Sequence, residues 1–386
     1  MIQNALFVSQ TAEKGGAELF MLDLVTHGPA GWNGCFFTDG PMVQELSAAD
    51  RRPIVLSTGS SMLTVRREAS ALKLLSAAGG VLTLARKLAR AAKGYDVLCA
   101  NSQKALFVSA LASRMMRRPL VWVLHDIITD PAFSATTRRA AVLFANLFAA
   151  RVVANSRASA EAYVAAGGNP KGVRIVYCGF DPTVHAQASS EAAQILRQRF
   201  ALRDEPVVGL FGRLTPWKGQ HVLLKALREL PKVQALIVGS AMFGQEAYEA
   251  ELKQLLHTEG LEGRVRLAGF QQDVGALMAG VDVVLHTSTH PEPFGRVIVE
   301  GMLAGRPVIA TRGGGVNEII TDGEDGLMIP PDEPRALAAA ISRLLASPDL
   351  AARLAATARE SAARRFHIDK TFDDMQAVLA EATKKI

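Results

Sequence analysis

The sequence predicts two doubly wound α/β domains in tandem, each a mostly parallel sheet with helices on both faces. Three observations carry this. Short apolar runs alternate with helical patterns along nearly the whole chain, which is the rhythm of βαβ units. That rhythm breaks across Gly179–Pro206 and restarts at Val207. The chain has 386 residues, more than one ordinary domain uses and enough for two with separate cores.

Ala5–Ser9 reads as the first strand, followed by Gly15-Gly16 and a helix from about Ala17. Val97–Ala100 and Leu120–Leu124 read as further strands separated by a helical stretch, and Arg151–Asn155 and Val173–Tyr177 continue the series. Gly179–Pro206 holds Asp181-Pro182, a polar helical piece near Ser189–Phe200, and Pro206, the composition of a domain boundary. The second series runs Val207–Phe211, Ala235–Val238, Val265–Leu267, Val281–Leu285 and Pro307–Ala310, each trailed by a helical segment. The expected division is 1–182, 183–365 and a tail helix over 366–386. Doubly wound domains bind ligands at the carboxyl ends of their strands, so a cleft between the two is the expected site.

Composition narrows the class. Hydrophobic residues at 49% and charged residues at 21% suit two packed cores. No apolar run is long enough to span a bilayer. The best, Ala140 to Ala150, is interrupted by Asn146 and ends at Arg151, as in a buried or interfacial helix. Met1-Ile2-Gln3-Asn4 lacks the basic start of a signal peptide. Cys35, Cys99 and Cys178 are scattered and form no CxxC pair, which favours a reduced, cytoplasmic protein and argues against a zinc site. Residues 1–185 carry 20 Lys and Arg against 12 Asp and Glu, whereas the remainder carries 23 against 25. The basic first half implies an anionic partner, but without clustered aromatics nucleic acid is not that partner.

Three segments carry chemistry. Gly15-Gly16-Ala17-Glu18 joins the first strand to the first helix, where small residues let backbone approach a ligand and a helix N-terminus offers N–H groups to phosphate. It is not GxGxxG, which counts against a nicotinamide or flavin dinucleotide. Gly212-Arg213-Leu214-Thr215-Pro216-Trp217-Lys218-Gly219 follows the first strand of the second series. Arg213 and Lys218 flank one turn there, and two cations so placed suit a diphosphate. Being at a loop edge, both should be removable without loss of the fold. The strongest signal is His290-Pro291-Glu292-Pro293-Phe294-Gly295-Arg296-Val297-Ile298-Val299-Glu300. Glu292 is expected in a loop at the sheet edge and Glu300 about two turns into a helix opening near Gly295. Two carboxylates so spaced can serve different groups of one extended ligand, with the first helical amides available for hydroxyls or phosphate.

These segments together resemble the family 4 glycosyltransferases of the GT-B fold. Glu292 to Glu300 matches that family's Glu-x7-Glu signature, and Gly15–Glu18, Gly212-Arg213 with Lys218-Gly219, and Gly313-Gly314-Gly315 with Glu318 match its other motifs in order and spacing. Tyr177-Cys178-Gly179-Phe180-Asp181 resembles its Tyr-Asn-Gly-Val-Asp segment, departing mildly at Cys178 and Phe180, and the tail from Phe366 resembles the family's last helix, which crosses back to the first domain. The resemblance implies roles. Arg213 and Lys218 would hold the diphosphate, Gly16 with Gly15 would meet the distal phosphate, and Glu300 would accept from the ribose hydroxyls. Glu292, with the amides of Phe294 and Gly295 beside Arg296, would grip the transferred sugar. His125 would stand near the reacting sugar and Phe270 near the nucleobase.

The implied activity is retaining transfer of a hexose-type sugar from a nucleotide-sugar, with a UDP-sugar favoured over GDP-mannose, to a glycan or lipid-linked acceptor in cell-surface polysaccharide synthesis. No metal or cofactor is expected: no Asp-x-Asp follows a strand, and Asp373-Asp374 falls in the tail helix. Whether Glu292 is a nucleophile stays open. The alternative is a nucleotide-sugar 2-epimerase of the same architecture, against which the Glu-x7-Glu with Arg213 and Lys218 favours transfer. An anionic membrane surface is a further expected partner, at the inner face of the membrane. Arg86, Lys87, Arg90 and Lys93 share a helical face beside an apolar stripe of Val81, Leu84, Leu88 and Ala92, and Arg66-Arg67, Arg117-Arg118 and Arg138-Arg139 add basic pairs.

Overall fold

The computed structural model describes residues 1–56, 71–131, 133–185, 187–242 and 244–384, with the backbone alone over 71–78. The chain divides into two compact units, Met1–Gly179 with Ile368–Ile386, and Phe180–His367.

The first unit runs β1 Ala5–Ser9, α1 Gly16–His27, β2 Trp32–Phe36, α2 Pro41–Ala48, β3 Ile54–Val55, α3 Ala71–Ala91, β4 Val97–Ala100, α4 Gln103–Met116, β5 Leu120–Leu124, α5 Ala135–Phe148, β6 Ala149–Ala154, α6 Arg157–Ala165 and β7 Val173–Ile175. Its seven strands are all parallel in the order β3-β2-β1-β4-β5-β6-β7. The second unit runs α7 Ser190–Phe200, β8 Val207–Phe211, a 3-10 turn Pro216–Lys218, α8 Gln220–Ala226, β9 Gln234–Val238, α9 Glu246–Thr258, β10 Val265–Gly269, α10 Val274–Gly280, β11 Val283–His286, α11 Arg296–Leu303, β12 Val308–Thr311, α12 Val316–Ile319, β13 Leu327–Ile329, α13 Pro334–Ala346 and α14 Pro348–Arg365. Its six strands are parallel in the order β10-β9-β8-β11-β12-β13. The last helix, α15 Ile368–Thr383, belongs to the first unit.

Each sheet turns outward from a central pair, β1 with β4 and β8 with β11. At such a reversal the loops leaving the carboxyl ends diverge and open a crevice, and much of the site described below stands on loops that leave these four strands. The central strands are buried on both faces, which explains why they read as continuous apolar runs. The strands missing from the sequence reading lie toward the margins. Trp32–Phe36 contains Asn33 and Gly34, poor strand formers, and a Cβ on Gly34 would lie 2.6 Å from the Leu46 side chain. β3 and β13 are only two and three residues long.

α15 docks on the first unit through mixed contacts. Phe372 packs on Trp32 with ring centroids 5.3 Å apart, His27 lies 2.8 Å from Asp369, Arg151 Nε lies 2.8 Å from Glu381, and the Ile2 amide donates to Gln376 at 2.9 Å. Asp373 on this helix is exposed and Asp374 pairs with Lys370.

The basic helix of the first half is corrected by the structure. Leu84, Leu88 and Ala92 are fully buried in the core against β4 and α4 side chains, and Val81 packs on them. Arg86, Lys87, Arg90 and Lys93 are exposed. The apolar stripe is thus core and is not presented to lipid, because a helix flanking a sheet spends its apolar face on that sheet. Arg66-Arg67 lie outside the described residues. Burial pushes the Cys35 thiol up to about 12 and Cys99 in the same direction.

Candidate active site

In the second unit, β8 ends at Phe211 and the chain turns at Gly212, at φ 145°. Arg213 is exposed at this turn, and its carbonyl accepts from Nε2 of the buried Gln220 at 2.8 Å. The turn Pro216–Lys218 ends at Gly219, at φ 70°, where a Cβ would lie 2.0 Å from the Thr287 carbonyl oxygen. Only glycine allows this approach. Thr287 Oγ1 donates to the Lys218 carbonyl at 2.9 Å, and the Thr289 amide donates to that of Trp217 at 2.8 Å. The loops after β8 and β11 are therefore stitched together, which fixes where Lys218 points.

Lys218 Nζ lies 2.9 Å from both carboxylate oxygens of Glu292 and 4.3 Å from the centre of the Trp217 ring. Glu292 is buried. Ser288 Oγ donates to its Oε2 at 2.9 Å, and His286 Nε2 lies 3.2 Å from the same atom. Thr311 Oγ1 donates to the Ser288 carbonyl at 2.8 Å and lies 3.3 Å from His286 Nδ1. Burial alone would raise the Glu292 pKa, but the Lys218 ammonium and the His286 hydrogen bond outweigh it and hold the carboxyl well below the usual carboxylate range. From behind, the Gly315 amide donates to the Glu292 carbonyl at 2.8 Å, and a Cβ on Gly314, at φ 62°, would lie 2.1 Å from that same oxygen. The Gly313–Gly315 run thus lets the loop after β12 press against the Glu292 backbone.

This changes the reading of Lys218. It is not a cation at a loop edge whose loss the fold ignores; it is one half of a largely buried ion pair, with side chains 15% and 10% exposed.

α11 opens at Gly295, at φ 112°, with no side chain capping its first amides. Phe294 is buried and packs edge-on to Phe366 at 5.6 Å. Arg296 lies over the Phe180 ring at 4.6 Å and 3.5 Å from Glu300. Glu300 is the fifth residue of the helix, just past its first turn, not two turns in as the sequence reading had it. Phe270 follows β10 at the sheet margin and is 56% exposed. The fold thus gathers Arg213, Lys218, Glu292, Arg296 and Glu300 on the loops and helix at the carboxyl ends of β8 and β11, while Phe270 stands two strands away.

In the first unit, Gly15 precedes α1, whose first turn also has no side-chain cap. Ser9 Oγ donates to the buried Glu18 carboxylate at 2.9 Å, and a Cβ on Gly15 would lie 2.7 Å from that carboxylate. Gly16 is exposed. His125, just past β5, places Nε2 at 2.8 Å from Asn101 Oδ1, and Asn101 Nδ2 donates to the Ala17 carbonyl at 2.9 Å. Because that carbonyl can only accept, the amide must present its oxygen to His125, so Nε2 carries a proton. The Phe20 ring meets the imidazole edge-on at 5.3 Å.

His286, Ser288, Thr311 and Asn101 were missed in the sequence. The signal was present: each is polar and stands at or just past the carboxyl end of a buried apolar strand.

The family profile for glycosyl transferases group 1 matches residues 193–361, and that for Glycosyltransferase Family 4 matches residues 42–184. HepE of Anabaena, solved in complex with UDP and glucose, is 38% identical, with a TM-score of 0.89 over 98% of this chain and 100% of that one. Sucrose-phosphate synthase of Thermosynechococcus elongatus is 25% identical with a TM-score of 0.82, covering 98% of each chain. The lipopolysaccharide core biosynthesis glycosyltransferase LpsE of Rhizobium meliloti is 37% identical over 177 residues, 46% of this chain and 50% of LpsE. The match to this curated relative thus spans about half its length. With two profiles in chain order and a full-length likeness to HepE, the chain belongs to the family 4 glycosyltransferases of the GT-B fold.

Proposed function

We propose that the protein is a retaining, metal-independent hexosyltransferase that takes its sugar from a UDP-sugar and adds it to a glycan or lipid-linked acceptor in cell-surface polysaccharide synthesis. The observation that carries this reading is the Lys218–Glu292 pair, held by His286 and Ser288 beside Arg213 at the carboxyl ends of β8 and β11. A cation fixed by a buried carboxylate, next to a second exposed cation, is suited to the charge that develops on a departing diphosphate. Arg213 and Lys218 would take the work a metal performs elsewhere. Glu300 would hold the ribose, Phe270 the base, and Glu292 with the Phe294 and Gly295 amides and Arg296 the transferred sugar. Gly15 and Gly16 at the start of α1 would meet the distal phosphate, and His125 the reacting sugar. The donor is read as a UDP-hexose because HepE is also solved with UDP-glucose. The acceptor class follows the relatives named for lipopolysaccharide core synthesis.

The test is a melting-temperature series with UDP-glucose, GDP-mannose, UDP and GDP, in which a specific ligand raises the midpoint with its concentration. UDP-glucose and UDP should stabilise and the guanine nucleotides should not. Turnover with the stabilising donor should survive excess EDTA, and proton NMR should show the product anomer matching the donor's. A rate abolished by EDTA and restored by magnesium or manganese would contradict the role of the two cations.

A further inference from the structure

Phe180 opens the second unit and stands at one of the two positions where Tyr177–Asp181 departs from the Tyr-Asn-Gly-Val-Asp pattern. A ring replaces valine there, and a ring can hold a cation where valine cannot. Phe180 is buried. Its amide donates to the Phe366 carbonyl at 2.9 Å, and it bridges in parallel to His367. Phe366 and His367 directly follow α14, so the end of this unit pins its beginning. Phe366 also packs edge-on to Phe294 at 5.6 Å, two residues before Arg296. The segment that fixes Phe180 therefore meets the start of α11 as well.

The Phe180 ring lies under a guanidinium of α11. Arg296 Cζ is 4.6 Å from the ring centre, well inside the range of attraction between a guanidinium and an aromatic face. Nη2 of the same group is 3.5 Å from Glu300 Oε1, and the two side chains are 14% and 19% exposed. Residues i and i+4 are neighbours on a helix, but a solvated pair of this kind is weak because two long side chains must be ordered to make it. Here both are largely withdrawn from water, and the ring adds a partner that does not move with the helix surface. The guanidinium is thus held from outside α11, and the carboxylate is held by the guanidinium.

We propose that Phe180 is a positioning residue for ribose recognition: its ring fixes the Arg296 guanidinium, which keeps the Glu300 carboxylate aimed at the ribose hydroxyls of the donor. The proposal rests on the donor reading above, in which Glu300 meets the ribose. Arg296 then divides its work. Its backbone stays with the amides that meet the transferred sugar, and its side chain serves the ribose end. Arg296 also offsets the Glu300 charge, which would otherwise oppose the arrival of a diphosphate nearby.

Calorimetric titration of the full chain with UDP, 2′-deoxy-UDP and 3′-deoxy-UDP tests this without any acceptor. Wild type should prefer UDP over at least one analogue by about tenfold or more, the scale of a hydrogen bond to a charged group. Phe180→Leu should shrink that preference about fivefold, the scale of a partly desolvated cation–π contact, and Arg296→Met should shrink it at least as much. In the Arg296→Met background Phe180→Leu should take nothing further from the preference, because its route to Glu300 is gone. The preference is a ratio of affinities within one protein, so a variant that is only less stable leaves it unchanged. Arg296→Met alone decides the matter if Phe180→Leu does not fold. An undiminished preference in either single variant overturns the proposal, and so does a double variant that loses the product of the two single effects. Equal binding of UDP and both analogues by wild type overturns it too but leaves the donor reading standing, whereas no binding of UDP removes both.

Discussion

Lys218 and Arg213 differ at the residue scale although the sequence presents them alike. Alanine at either should cost about 2–4 kcal/mol of transition-state stabilisation, the scale of losing an electrostatic donor at a developing anion. Their effects on stability should diverge. Arg213→Ala removes an exposed side chain at a turn and should stay within about 0.5 kcal/mol. Lys218→Ala strips the Glu292 carboxylate of its cation and should cost about 3 kcal/mol, the lower end for breaking a buried pair. Steady-state kinetics with urea denaturation of both variants checks this; a Lys218→Ala protein as stable as wild type would remove the pair's structural role. The depressed Glu292 pKa adds a pH signature. The folded state holds the carboxylate ionised while the unfolded chain takes up its proton near the ordinary value of about 4.3. The stability this contributes is present above that value and is lost as pH falls below it. Glu292→Gln should therefore flatten the acid side of the stability profile, and a profile as steep as wild type would contradict the assignment. His286 touches no substrate in this reading and acts through Glu292. His286→Gln should lower kcat by roughly 10- to 100-fold, as misplaced catalytic groups do, while the donor KM shifts far less.

Elements explain what was legible and what was not. Central strands were readable because burial on both faces writes an unbroken apolar run. β3 and β13 were not, because two or three residues carry no period; β7, equally short, was read because apolar Val176 and Tyr177 extend its run. Glu292 and Glu300 were visible through spacing, and the strand-end positions of His286, Ser288 and Thr311 were marked too, but not that the loop after β11 folds back so that all three converge on Glu292. The basic helix α3 misled for a related reason: an amphipathic pattern reports that one face is covered without saying by what. Two glycines divide by the same logic. Gly314→Ala would drive a Cβ into the Glu292 carbonyl at a positive φ, and should both destabilise the second unit and depress turnover. Gly275, within α10, has nothing within 4 Å of a Cβ and no positive φ, so Gly275→Ala should stabilise by about 0.4–1 kcal/mol. Thermal melts of the two variants should move in opposite directions.

At the scale of the whole molecule, the chain leaves the first unit at Gly179 and re-enters it at Ile368. The two passages are joined: the Phe180 amide donates to the Phe366 carbonyl at 2.9 Å, and Phe180 bridges to His367. Gly179 is packed so tightly on the returning helix that a Cβ would lie 2.5 Å from Thr371 Oγ1. The second unit is in effect spliced into the first. Protein synthesis is vectorial, so the ribosome must finish all of Phe180–His367 before α15 emerges to cover Trp32, Ile2 and Arg151. The amino-terminal half is thus made first and completed last. Nascent chains that end at His367 and are tethered to the ribosome by an unstructured linker in place of α15 should hold a protease-resistant second unit and a first unit still open to cleavage around Trp32, and chains that carry α15 ahead of the same linker should be closed there. Equal resistance of both units in the chain without α15 would mean that the first unit does not wait for its last helix.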